Sequence, residues 1–244
     1  MTPMPGRYRV RIADSREDLL AAQRLRHRAF RGATDAGLDS DGYDALCRHF
    51  LVEEGGGGGP VCCFRILPLR DGGDIGRSYS AQFYDLGALG GFAGPMAEVG
   101  RFCIDPDRHD PDILRAAWGS LTAYVDENAV EMLFGCSSFR GTDASLYADA
   151  LALLRERHLA PRCWRPGIRA AEVVRFAAGP RRAPDPKRAQ RHMPPLLRSY
   201  LMMGGWVSDH AVVDRQLDTL HVFTGLEVGA IPAARKRLLR ALAA

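Results

Sequence analysis

An α/β fold is what this 244-residue sequence predicts, and three observations carry it. Stretches with strand character and stretches with helical spacing alternate along the chain, which argues for helices packed on a sheet. An apolar content of 46% is enough for a sizeable core. The central strand candidate, within Met96–Ile113 (MAEVGRFCIDPDRHDPDI), turns directly into a helix start.

The elements follow in order. Tyr8–Ile12 alternates as a strand, and Asp14 with Glu17 three residues on predicts a capping box for a helix over 15–31. Leu19, Ala22, Gln23, Arg26 and Phe30 share helical spacing there, so Arg26 sits on the apolar side, as at a pocket edge. Residues 34–43, with Asp44 following, are turn-rich and acidic (Asp35, Asp39, Asp41, Asp44) and read as a loop of the kind that carries function. His49–Glu53 and Val61–Leu67 are strands joined by Gly55–Gly59, with Arg65 interrupting the second. Those glycines lack the Lys-Ser/Thr of a phosphate loop.

A Gly-rich irregular stretch through Gly94 precedes a strand from Glu98 to Asp105, closed by Asp105-Pro106. Asp110-Pro111 then opens a helix to Asn128. Met132–Cys136 reads as a buried strand ending at Ser137-Ser138, with Thr142 or Asp143 capping a helix to about Arg157. Residues 179–195 form a Pro/Arg-rich connector. A helix over 196–203, strands at 207–214 and 219–223, and a basic helix over 233–242 complete the chain.

Alternation puts Glu98 and Arg101 on opposite faces of their strand. A carboxylate in the middle of a sheet is paired or is used as a proton acceptor, and both readings stand at this point.

The net charge of +4 is modest, and much of the excess lies in two groups. Arg181, Arg182, Lys187, Arg188 and Arg191 occupy the connector, and Arg235, Lys236, Arg237 and Arg240 the last helix. Each group suits an acidic partner, an anionic membrane surface or plain solvation. Nucleic acid is not expected, because aromatics are not interleaved with the basic runs. Six cysteines without a C-x-x-C pair predict neither a metal site nor a disulfide framework, and burial as small hydrophobes is expected. Cys136 is the one candidate nucleophile among them. With no apolar run near about 20 residues and no signal-peptide core, a cytoplasmic address is expected.

Three motifs, EVGRFCIDP, LFGCSSFRGTD and MPPLLRSYLMMGGWVSDHAVVDRQLDTLHVF, together resemble the bacterial ornithine N-acyltransferases that make lyso-ornithine lipid. That branch of GNAT-like acyltransferases is similar to the acyl-homoserine-lactone synthases, and the resemblance runs from about Arg24 to Phe223. It implies a three-layer α/β/α fold whose mixed, mostly antiparallel sheet is splayed at the strand carrying Glu98. On this reading residues 1–178 are the core, and 196–244 complete the same domain beyond the connector.

The resemblance also implies a reaction, the first step of ornithine lipid synthesis. A 3-hydroxyacyl chain passes from the phosphopantetheine thioester of acyl carrier protein to the α-amino group of L-ornithine, with no bound cofactor. Asp107–Pro111 stands where coenzyme A users have a Gly-rich pyrophosphate loop, which favours a carrier-protein donor. Arg26, Phe30, Asp41, Asp44, Arg65, Phe83, Glu98 and Arg101 match positions shared with the lactone synthases, and Phe102, Ser137 and Ser138 are further substrate-contact candidates.

Aminolysis of a thioester needs a base for the amine and fixed donors for the oxyanion. Glu98 suits the base, and backbone amides at a strand bulge or at the helix start near Asp112 suit the oxyanion. Arg65 and Arg101 either anchor substrate or pair with Asp41, Asp44 or Glu98. Asp41 and Asp44 alternatively meet the ornithine ammonium. Ser137 and Ser138 either touch the carrier arm or cap the next helix. The basic segments then imply docking of acyl carrier protein or of the inner face of the cytoplasmic membrane. The alternatives are an acyl-homoserine-lactone synthase or other long-chain N-acyl amino acid synthase, covalent transfer through Cys136, and a membrane-binding hemolysin-like protein.

Overall fold

A computed structural model of the protein describes residues 7–32, 36–55, 58–179 and 182–243. In chain order the elements are β1 (Tyr8–Ile12), α1 (Arg16–Arg31), β2 (Arg48–Glu54), β3 (Cys62–Leu69), β4 (Tyr84–Asp85), β5 (Met96–Ile104), α2 (Pro111–Glu127), β6 (Met132–Arg140) and α3 (Ala148–Arg157). They continue with β7 (Gly167–Ile168), β8 (Val173–Val174), α4 (Pro186–His192), α5 (Pro195–Met202), β9 (Trp206–Val207), β10 (Ala211–Asp214), β11 (Thr219–Glu227) and α6 (Ala233–Ala243). The fold is α/β, as the alternation predicted.

Two compact units are drawn from interleaved segments, the first from Met1–Pro68, Val99–Val130 and Ala233–Ala244, the second from Leu69–Glu98 and Glu131–Pro232. The chain passes from the second unit to the first in the middle of β5.

In the first unit the strand order is β1-β2-β3-β5, with β1–β2 and β2–β3 antiparallel. The N-cap of α1 is Ser15, one residue later than the predicted Asp14, because the Ser15 side chain accepts the Asp18 N–H. α2 opens as predicted, with Asp110 capping and Pro111 in its first turn, where a missing N–H costs nothing. The basic helix α6 packs on α2. A Cβ at Gly119 would lie 2.3 Å from the Leu242 carbonyl oxygen, so only glycine permits this approach.

In the second unit the order is β5-β6-β11-β10-β8, with β9 also on β11 and β4–β7 as a separate pair. β5–β6 is parallel over Met96–Glu98, and β6–β11, β11–β10, β10–β8, β11–β9 and β4–β7 are antiparallel. β6 does not stop at Cys136. β11 pairs with it as far as Arg140, so Ser137 and Ser138 stand opposite Val222 and His221 inside the strand and not beyond its end. The connector is not structureless either. Asp185 caps α4, and Ala189 of that helix packs with Leu154 and Leu197. Trp206 lies over Gly225, where a Cβ would come within 2.4 Å of the indole ring. No described helix is long and apolar enough to cross a membrane.

Candidate active site

Glu98 is 4% exposed, and its carboxylate faces three hydrogen-bond donors. The Tyr79 N–H donates to Oε2 at 2.7 Å, and the Ser80 N–H donates to Oε1 at 2.7 Å. The Ser80 hydroxyl also donates to Oε1, at 2.5 Å. A 3₁₀ turn over Ser80–Gln82, tightened by the Ala81 N–H donating to Ser78 Oγ, leaves the two consecutive amides for the carboxylate. The parallel register of β5 on β6 ends at this residue, at Glu98–Phe134.

Cys136, half-buried, has its Sγ 3.4 Å from Ser80 Oγ. Phe83 packs against Tyr79 and His221. The buried Tyr84 hydroxyl donates to the His221 carbonyl at 2.8 Å and lies 3.0 Å from His221 Nδ1. Burial holds the His221 pKa down to about 4 and pushes that of Tyr84 well up, so both are neutral at pH 7.

In the first unit the predicted candidates Arg26, Asp41, Asp44, Arg65 and Arg101 form a closed ring together with Asp39. Arg26, 1% exposed, donates to Asp39 at 2.8 Å and to Asp44 at 2.7 Å. Arg65 donates to Asp44 at 2.6 Å and to Asp41 at 2.6 and 2.8 Å. Arg101 completes the circuit, donating at 3.0 Å to both Asp41 and Asp39. Three guanidinium groups thus alternate with three carboxylates, each arginine bridging two acids. Gln23 donates to Asp44 as well, at 2.9 Å.

Burial works against the charges of Asp41 and Asp44, yet the Arg65 bonds at Asp41 and the Arg26, Gln23 and Arg65 bonds at Asp44 hold both carboxyls below their usual range. Burial lowers the pKa of His49, whose Nε2 lies 2.9 Å from the Asp44 carbonyl oxygen. Arg101 has a left-handed backbone, φ 51°. The period-two alternation that set it opposite Glu98 therefore does not hold across this residue.

Other candidates fall elsewhere. Phe30 lies under the Arg101 guanidinium, 6.0 Å away, and Phe102 stacks on Phe64. Ser137 is buried and accepts from the Thr224 hydroxyl at 2.9 Å, whereas Ser138 is exposed; neither caps the following turn, which Asp143 does. The Asp112 amide, a candidate oxyanion donor, is taken by the Asp110 cap at 2.9 Å. Among the basic candidates Arg182 pairs with Asp149 at 2.5 Å and Arg240 with Asp126 at 2.8 Å. Lys187 and Arg188 are exposed on α4, and Arg235 and Arg237 on α6, with Lys236 half-buried. Arg181 lies outside the described residues.

Sequence reasoning missed Ser80 and Tyr79, which lie in the stretch taken as irregular, and it nominated neither Gln23 nor Asp39. The acidity of the loop signalled Asp39. Nothing local signalled Ser80.

An acetyltransferase (GNAT) domain is matched over residues 25–119. The L-ornithine N(alpha)-acyltransferase of Rhodobacter capsulatus is 32% identical over 95% of this chain and 94% of its own length. The chain belongs to the L-ornithine N(alpha)-acyltransferase family. The Brucella abortus member is 29% identical over 93% of this chain and 86% of its own. Among solved structures, FeeM, an N-acyl amino acid synthase from uncultured soil microbes, superposes with a TM-score of 0.52 at 15% identity, covering 97% of both chains. The CoA-dependent acyl-homoserine lactone synthase BjaI gives 0.50 at 12% identity, over 92% of this chain and 81% of its own. At these identities the likeness is one of fold, and it bears out the expected GNAT-like class.

Proposed function

We propose that this acyltransferase moves a 3-hydroxyacyl group from the phosphopantetheine thioester of acyl carrier protein to the α-amino group of L-ornithine, giving lyso-ornithine lipid. The acceptor follows from the family. The observation that carries the chemistry is Glu98, a buried carboxylate fixed by two amides and a hydroxyl.

Glu98 takes a proton from the ornithine α-ammonium, directly or through water, and the freed nitrogen pair attacks the thioester carbonyl carbon. Backbone amides hold the oxyanion. The C–S bond then breaks, and the departing thiolate takes the second proton of the new C–N nitrogen. In the ring Arg101, at 12% side-chain exposure, and Asp41, at 22%, are the less buried members. Arg26 and Asp44, at 1% and 6%, are more deeply buried.

Docking of the carrier protein, and peripheral contact with the inner face of the cytoplasmic membrane, fall to the exposed cations Lys187, Arg188, Arg235 and Arg237. Purified enzyme given 3-hydroxyacyl carrier protein and a panel of ornithine, lysine and glutamine tests the assignment by product mass. Failure with all three overturns it. Glu98→Gln is expected to lower kcat by about 10² to 10⁴, the usual range for losing a general base. Arg188→Glu with Arg237→Glu is expected to raise KM for acyl carrier protein while leaving that for ornithine unchanged.

A further inference from the structure

Two of the groups that hold Glu98 belong to the backbone and cannot be removed by substitution. Another is the hydroxyl of Ser80, a side chain 0% exposed, whose Oγ lies 2.5 Å from Oε1. An ionised carboxylate only accepts, so the single hydroxyl proton points at Glu98. The remaining capacity of Oγ is that of an acceptor, and the thiol of Cys136, 3.4 Å away, is oriented as its donor. Thiol, hydroxyl and carboxylate thus form a directed chain running from β6 to β5.

We infer that Ser80 is a positioning residue for the acyl transfer: its hydroxyl, itself oriented by Cys136, fixes the rotamer of the Glu98 carboxylate and stabilises its anionic form between turnovers. This rests on the reading of Glu98 as the base. A base must be held near its productive geometry before the amine arrives, because misplacement by about 1 Å costs on the order of 10²-fold in rate. The two amides donate to different carboxylate oxygens, and both come from one short turn. The hydroxyl adds a charge-assisted bond, of the kind roughly twice as strong as a neutral one.

The test compares wild type, Ser80→Ala, Ser80→Thr and Glu98→Gln in thioester aminolysis across pH, with melting curves for each. Ser80→Ala is expected to lower kcat about tenfold at neutral pH, one factor of ten per 1.36 kcal/mol, with KM for ornithine held within about twofold. Loss of a donor to the anion makes the carboxylate more basic, so the acid limb of kcat/KM moves up by about one pH unit. The amine's own titration is common to all variants and does not contribute to that difference. Ser80→Thr keeps the hydroxyl and is expected to return the limb to its wild-type place.

An Ser80→Ala enzyme with a wild-type limb and kcat, beside an inactive Glu98→Gln, overturns the role of Ser80 and leaves the base reading standing. Turnover surviving in Glu98→Gln overturns the base reading itself. Should Ser80→Ala melt below the assay temperature, Ser80→Cys, nearly isosteric and a weaker donor, carries the comparison. An unmoved limb there counts against the inference, and a limb moved upward supports it.

Discussion

Glu98 and the ring of the first unit hold buried carboxylates by different means. In the ring each carboxylate meets two guanidinium groups and each guanidinium two carboxylates, so three positive and three negative charges close on one another. At Glu98 two amides and a hydroxyl donate, each of them neutral. Cations cancel a carboxylate's charge along with orienting it, whereas neutral donors orient it and leave the charge in place. The first arrangement orders the loop that carries Asp39, Asp41 and Asp44 against α1 and β3. The second suits the proposed role of Glu98 as the base. Carboxylates nominated together from sequence thus differ in the partners that hold them, guanidinium groups in the ring and amides with a hydroxyl at Glu98.

Breaking the ring is the largest expected effect on stability. Arg26→Ala leaves the ring with one excess buried negative charge, and removing one partner of a buried pair costs about 3 to 5 kcal/mol. Denaturant unfolding reads this directly. Arg26→Lys is expected to recover only part of it, because an ammonium is a point charge without the planar fork that bridges Asp39 and Asp44. A loss below about 1 kcal/mol for Arg26→Ala would mean that the ring is no scaffold, and the contrast with Glu98 would fall with it.

Acid sharpens the comparison. The folded-state pKa values of Asp41 and Asp44 lie below the ordinary 3.8, so their contribution is fully present above that value and is lost as pH falls through the folded values. His221 in the second unit is depressed from 6.5 to about 4. The unfolded chain takes up its proton first, so stability is present above pH 6.5 and is lost between 6.5 and 4, by about 3 kcal/mol. Hydrogen exchange followed from pH 7 to 3 is expected to show the second unit loosening before the first. Replacing His221 by Phe is expected to remove the upper step and leave the lower one.

What the sequence reveals about each region follows from how local its chemistry is. The helix start at Asp110-Pro111 is legible because cap and proline act on their own turn, and the structure keeps both. Asp41, Asp44, Arg65 and Arg101 are legible as a set of charges. That Arg65 and Arg101 pair with Asp41 or Asp44 is one of the two alternatives the sequence leaves open, and the structure shows those pairs. The closing place of Asp39 is not legible, because its partner Arg101 lies 62 residues away and any arginine suits any aspartate. Ser80 is illegible for a related reason: its partner is 18 residues away, and the stretch around it has neither periodicity nor motif. Ser137-Ser138 misleads in the opposite way. Two serines after an apolar run read as the end of a strand, and only the partner strand β11 holds them inside one.

Arg101 is where ring and strand meet, and it gives the smallest but most specific prediction. A non-glycine residue at φ 51° carries roughly 1 to 2 kcal/mol of backbone strain. Its two ion pairs, to Asp39 and Asp41, are the contacts that oppose this strain. Substitution by alanine removes both pairs and keeps the strain, whereas substitution by glycine removes both pairs and the strain together. Arg101→Gly is therefore expected to be more stable than Arg101→Ala by about 1 kcal/mol, the reverse of their order in an ordinary strand. Unfolding midpoints of the two variants decide it. Equal midpoints would mean that the left-handed turn is imposed by the ring and relaxes once Arg101 lets go, which would make the ring the cause of the kink and not its restraint.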